Sequence, residues 1–269
     1  MVKFYSSNFS YDYSFPAVSL AYFLRYPNPY STHVLSSDVI ERHFDPETQR
    51  LTTVRLHLKR SKLPPAVLKL VPRSILGASK EGDSQSYILE TSVVDVKEGT
   101  METESRNLEW TGILSVIEKQ VYKRPLGLIT GTGSAGDPFS GVAPQKTDVT
   151  TTVILKSRIG ENLRKRRARI AESSSDDEEA PAKVGFFRSW ANDSMQRSIE
   201  LIGLRRAEGS QPKAKMGMTV VLERMRQGGL GAVLEGMRRD RELMFAGPPP
   251  VPALSNERNS AALDIDYDE

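Results

Sequence analysis

Seven stretches in which apolar and polar residues alternate, at 2–11, 33–44, 51–59, 86–97, 100–109, 113–122 and 147–156, constrain this chain more than any other feature. Successive side chains of a strand point to opposite faces, so alternation of period two marks a half-buried strand. Turn-rich connections separate most of these stretches, which implies one antiparallel sheet of about seven strands. Helical patterns are fewer. Pro16-Ala-Val-Ser-Leu-Ala-Tyr-Phe-Leu-Arg25 begins with a proline suited to a first turn, and a short Pro65-Ala-Val-Leu-Lys-Leu-Val71 lies between strands. A long helical pattern starts near Phe186, is interrupted at Gly209-Ser-Gln-Pro212, and resumes from Lys213 to Met225. Strands first and a long helix last is an α+β arrangement: a curved antiparallel sheet wrapped around the C-terminal helix, with a cavity between them.

The chain has 269 residues, 38% hydrophobic and 26% charged, with 16 prolines, which fits one packed core carrying long polar additions. The domain is expected at 1–227, with loop insertions at 125–146, rich in Gly, Pro and Ser, and at 158–184, dense in charge. A helical extension at 228–245 and a disordered acidic tail at 246–269 follow, because the tail and the insertions bury too little apolar surface to offset chain entropy. The formal charge of +3 is mild, but the basic residues are unevenly spread, and local clusters attract anionic partners. No run of about 18 apolar residues is present to span a bilayer. The N-terminus alternates Val2, Phe4, Ser6 in place of a basic region followed by an apolar one, so neither a secretory signal nor an arginine-rich presequence is expected.

Zero cysteines exclude thiol nucleophiles, cysteine metal sites and disulfides together. No Gly-x-Ser-x-Gly elbow occurs, and His33, His43 and His57 lack the helical spacing of paired metal ligands, so no enzyme, metal or cofactor is expected. Gly131-Thr-Gly133-Ser-Ala-Gly136 matches the dinucleotide fingerprint as text, but Asp137-Pro138 follows where a helix must begin, and a loop is the better reading. The run Arg164-Lys-Arg-Arg167-Ala-Arg169 resembles a nucleic-acid patch and lies beside the acidic Ser173-Ser-Ser-Asp-Asp-Glu-Glu179, which suggests a solvated, partly self-neutralising insertion.

The densest chemistry lies in Arg25-Tyr-Pro-Asn-Pro-Tyr-Ser-Thr-His33-Val-Leu-Ser36, where Pro27 and Pro29 stiffen a turn that carries one arginine and one histidine into a strand. Arginine suits forked hydrogen bonds to phosphate, and lysines such as Lys59 and Lys62 suit it as point charges. Arg25 fits equally a cation at the end of a helix. For His33 the residues favour a core-edge ring bonded to backbone.

Together with Lys59-Arg-Ser-Lys62-Leu-Pro-Pro65, Glu90-Thr-Ser-Val-Val-Asp95 and Glu104-Ser-Arg-Asn-Leu-Glu-Trp-Thr-Gly112, this turn resembles the PRELI/MSF1 family of mitochondrial lipid-transfer proteins. The resemblance covers 1–124 closely and Phe186 to about Gln227 more loosely. It implies a cavity that holds one phospholipid, most often phosphatidic acid, carried between the outer and inner mitochondrial membranes through the intermembrane space. Transient contact with anionic membranes and a small twin-Cx9C helical partner protein are implied with it. A diacyl lipid in water exposes roughly 30 methylenes at about 0.8 kcal/mol each, on the order of 20 kcal/mol, so such a carrier must enclose the chains.

The same resemblance places basic headgroup contacts at Arg25, Lys59 and Lys62, with His33 beside them. It makes the segment from Lys62 to Arg73, with Leu63, Pro64, Pro65, Val67, Leu68 and Leu70, a mobile lid, where the residues alone also allow a short helix packed on the core. Family members carry lysines and an asparagine between a tryptophan and Met-Gly-Met. Counting from Trp190 gives Ser194 and Ser198 at two of those places, while counting back from Met216 gives Lys213. Met216 and Met218 fit ordinary core filling as well. Two other readings remain: a regulatory or nucleic-acid-binding protein acting through the basic run at 156–169, and a lipid sensor that never releases its cargo.

Overall fold

A computed structural model describes residues 2–62, 83–111, 113–125, 146–157 and 183–246. Strand β1 (Val2–Tyr11) leads into helix α1 (Phe15–Phe23), and β2 (Val34–Asp45), β3 (Arg50–Lys62), β4 (Asp83–Asp95), β5 (Thr100–Asn107), β6 (Leu114–Lys123) and β7 (Thr147–Ser157) follow before the 63-residue helix α2 (Lys183–Phe245). The strands form one antiparallel sheet in the order β1-β7-β6-β5-β4-β3-β2, so β1 returns to close beside β7 while the other strands pair with their sequence neighbours. The α+β arrangement expected from the alternation is the one observed. The lid at 63–70, all but the ends of 125–146 and 158–184, and the tail beyond Ala246 lie outside the described residues.

Helix α1 begins where Ser14 Oγ accepts from the Ala17 amide at 3.4 Å, with Pro16 in the first turn. It buries Phe15, Ala17, Val18, Ala21 and Tyr22 against Tyr11, Val94, Met101, Tyr122 and Val149 of the sheet. The other wall of this core is Met218, Val221, Leu222 and Met225 of α2, whose spacing puts them on one helix face. Each such side chain contributes on the order of 2 kcal/mol as an upper estimate.

The interruption expected at 209–212 is absent, and α2 runs through Pro212. A proline inside a helix costs about 3 kcal/mol. Burial of Gln211 and of the Met218–Met225 face offsets that cost and keeps the helix continuous. The break comes at Gly228 and Gly229 instead, where Gly229 has φ +62° and ψ −155°, a conformation that glycine adopts without strain. Beyond the kink the helix turns back, buries Val233 in the same core, and is clasped by Arg224, whose two Nη groups donate to the Asp240 carboxylate at 2.6 and 3.1 Å.

Along residues 53–57 of β3 and 84–92 of β4 the inward face is largely polar. Thr53, Arg55 and His57, and Ser84, Ser86, Glu90 and Ser92, are buried, while Leu56, Leu58, Leu89 and Val93 on the opposite face are only half-buried.

Candidate functional site

The Tyr26–Ser31 turn is held from within. Asn28, buried, donates from Nδ2 to the Arg25 carbonyl at 2.5 Å and accepts from the Tyr30 amide at 2.9 Å. The Ser31 amide donates to the Asn28 carbonyl and the Val34 amide to the Ser31 carbonyl, both at 3.0 Å, so the turn delivers His33 directly to the start of β2. The Arg60 amide then donates to the His33 carbonyl at 2.8 Å, which sets His33 beside the end of β3.

Between this turn, the end of β3, the inner faces of β5 and β6, and the middle of α2 lies a pocket of about 610 Å³. Arg25, His33, Lys59, Lys62 and Lys213, picked out separately in the sequence, all line it. So do Arg206, Lys215 and Glu118, to which the sequence reading gave no role. The apolar part of the lining comes from Phe9, Tyr11, Tyr26, Tyr122 and Met218 rather than from aliphatic chains. Such a mixed lining suits a polar headgroup better than the deep apolar interior the sequence reading called for.

Arg25 is committed on two sides. Its Nη2 donates to Glu90 Oε2 at 2.5 Å and its Nη1 to the Tyr22 carbonyl at 3.5 Å, and its guanidinium lies 3.7 Å from the Tyr22 ring centroid and 4.8 Å from that of Tyr26. Glu90 takes a second arginine on its other oxygen, from Arg55 Nε at 2.9 Å and Nη2 at 2.5 Å, while Arg55 Nη1 donates to the Phe23 carbonyl at 3.1 Å. Two guanidiniums therefore share one carboxylate and cap the C-terminal end of α1. Arg25 is thus a helix-end cation whose side chain also lines the pocket. His57 Nε2 lies 3.3 Å from Glu90 Oε2 outside hydrogen-bonding geometry, and its ring meets Tyr26 edge-on at 5.4 Å.

Burial pushes the Glu90 carboxyl up, but Arg25, the His57 contact and Arg55 outweigh it and leave the carboxyl well below the usual range. Burial holds His57 below its ordinary value, with Glu90 pulling the other way. At the rim, partial burial and then the charges of Lys59, Lys213 and Arg206 bring His33 down to about 4, an effect that its remaining solvent exposure damps. His33 is thus a neutral hydrogen-bonding ring at neutral pH, surrounded by cations.

Arg206 donates from Nη2 to the Lys62 carbonyl at 2.9 Å and so ties α2 to the end of β3. Lys215 Nζ stands 5.2 Å from the Phe9 ring centroid. Arg206 and Lys213 are seven positions apart, two helical turns, and share a face. That spacing was readable in the sequence. Counting from Trp190, beyond the described side chains, hid it, whereas counting back from Met216 exposes it. Arg55 carried no comparable signal. Among the described residues no group of three His, Asp or Glu side chains could hold a metal ion.

Residues 16–125 match the model of the PRELI-like family. The chain is 42% identical over 123 residues to "Protein UPS1, mitochondrial" of Saccharomyces cerevisiae, covering 46% of this chain and 65% of that protein. It is 34% identical over 122 residues to "PRELI domain-containing protein 1, mitochondrial" of Homo sapiens, covering 45% and 52%. The matches thus span between half and two thirds of the relatives' lengths. Among solved structures, the Zhui aromatase/cyclase from Streptomyces superposes with a TM-score of 0.43 at 8% identity, over 85% of this chain and 98% of that one.

Proposed function

We propose that this chain, whose residues 16–125 match the PRELI-like family model, belongs to that family, binds a single phospholipid by its phosphate and carries it between the outer and inner mitochondrial membranes. Phosphatidic acid is the first candidate cargo. The observation that supports this reading is the convergence of Arg25, His33, Lys59, Lys62, Arg206 and Lys213 on one pocket. A phosphate there meets lysine point charges from β3 and α2, with Arg25 in the pocket wall, while neutral His33 offers one donor and one acceptor. No catalytic step is required of these groups, and the protein acts as a carrier and not as an enzyme.

The remaining parts of the cycle belong to the same proposal. The segment at 63–70 closes over the pocket as a lid. Cations at the mouth dock on an anionic membrane at about 1 kcal/mol apiece. A small twin-Cx9C helical protein in the intermembrane space favours release from the membrane. The test is transfer of fluorescent phosphatidic acid between vesicles by the full chain. Each lost charge-assisted contact is worth about 1.5 kcal/mol or more, so Lys62→Ala with Lys213→Ala is expected to slow transfer at least about tenfold without lowering thermal stability. Transfer at the original rate by that double variant refutes the site.

A further inference from the structure

The pocket is not uniformly positive. Glu118 of β6 is the one carboxylate among its described lining residues, against seven lysine and arginine side chains. Its partners are amides instead of those cations. Gln120 Nε2 donates to Glu118 Oε1 at 2.8 Å, and Gln211 Nε2, from α2, donates to the same oxygen at 3.4 Å. The Tyr122 hydroxyl donates to Gln120 Oε1 at 2.7 Å, which fixes the Gln120 amide with its NH₂ toward Glu118. Gln211 is itself buried, so the carboxylate is held between sheet and helix by groups that cannot swing away.

A carboxylate so fixed works against a bare phosphate, because like charges across one pocket repel, and it works for a ligand that places a donor between the phosphate and itself. We infer that Glu118, oriented by Gln120 and Gln211, selects headgroup chemistry: the phosphate lies against the lysines and arginines, and a hydrogen-bond donor borne on that phosphate, an ammonium or a hydroxyl, is accepted by Glu118. The cargo class is then a phosphodiester lipid with a donor-bearing substituent, admitted alongside or ahead of phosphatidic acid. This inference rests on the lipid-binding reading and deepens it.

The experiment uses the full chain and phosphatidylcholine vesicles doped with phosphatidic acid, phosphatidylethanolamine or phosphatidylglycerol, and counts lipid bound per protein by mass spectrometry. The unmodified chain is expected to take up at least one of the two donor-bearing lipids as well as it takes phosphatidic acid. The ethanolamine arm reports an ammonium and the glycerol arm a hydroxyl. Glu118→Gln keeps the size and accepts both amide donors, and it is expected to lower uptake of the donor-bearing lipids about tenfold relative to phosphatidic acid, the loss of one charge-assisted bond. Exclusion of both donor-bearing lipids by the unmodified chain overturns the inference and leaves the carrier reading standing. So does a ratio that Glu118→Gln changes by less than about twofold. Uptake of no lipid of any kind removes the carrier reading and this inference with it.

Discussion

His33 is the residue whose behaviour reports most directly on the site. Lys59 faces it from β3, and Lys213 and Arg206 face it from α2. With burial, these bring its value to about 4, below the 6.5 of a free ring. The unfolded chain therefore takes up a proton before the folded one does, and stability from this group, present above about 6.5, is lost as pH falls toward 4. An anion in the pocket offsets the three cations and raises the value. Binding then takes up a proton, and anion affinity is expected to grow as pH falls through that window. Ring-proton NMR of the full chain with and without inorganic phosphate checks this. An identical titration in both states places the phosphate elsewhere. His33 also shows what residue types alone convey. The residues of the turn favour a ring bonded to backbone, while two of the three cations that face it, Lys213 and Arg206, arrive from α2, more than 170 positions away, and leave no mark on the local sequence.

At the scale of elements, alternation located all seven strands to within a few residues, because period two needs no tertiary information. Which face points inward was harder to read. In β3 and β4 the polar set Thr53, Arg55, His57 and Ser86, Glu90, Ser92 is buried and Leu56, Leu58 and Leu89 are only half-buried, a reversal that goes with the buried pairing of Glu90 to Arg25 and Arg55. Propensity also placed a helix break at 209–212, where packing overrides it, while the kink falls at Gly228–Gly229, where the sequence reading began a separate helical extension. Met216-Gly217-Met218 carries a further element-scale demand. A Cβ on Gly217 would lie 2.8 Å from Asn28 Oδ1 and 2.9 Å from Nδ2, and Asn28 is pinned by the Arg25 carbonyl and the Tyr30 amide. Alanine gains about 1 kcal/mol in helix propensity, but the crowding costs roughly 1–3 kcal/mol and displaces the turn that carries Arg25 and His33. Gly217→Ala is expected to lower the melting temperature by a few degrees and to weaken lipid uptake together with it. A stabilised variant with full uptake shows that the helix and the turn can separate freely.

Across the whole molecule, the apolar core and the charged pocket abut at Tyr11, Tyr122 and Met218, which belong to both. What joins the two halves is the group centred on Glu90, which links the end of α1 to β3 and β4 through Arg25 and Arg55. Its members come from three elements, and the sequence quotes Glu90 only as part of a pattern, so neither its pairing nor its burial was legible. Two guanidiniums against one carboxylate leave an excess positive charge at the pocket wall, which the α1 C-terminus offsets only in part. Removing the carboxylate strands both arginines, and breaking a buried pair this way costs about 3–5 kcal/mol, a large share of a domain's net stability. Glu90→Ala is expected to lose that amount in urea unfolding at neutral pH. The pH dependence has a definite sign. Because the folded carboxyl sits well below its unfolded value, its contribution is full above roughly pH 4.5 and is lost as pH falls, so the original chain and the variant converge in acid. A loss under about 1 kcal/mol, or a gap that persists unchanged at low pH, means that α1 is held to the sheet by its apolar face alone.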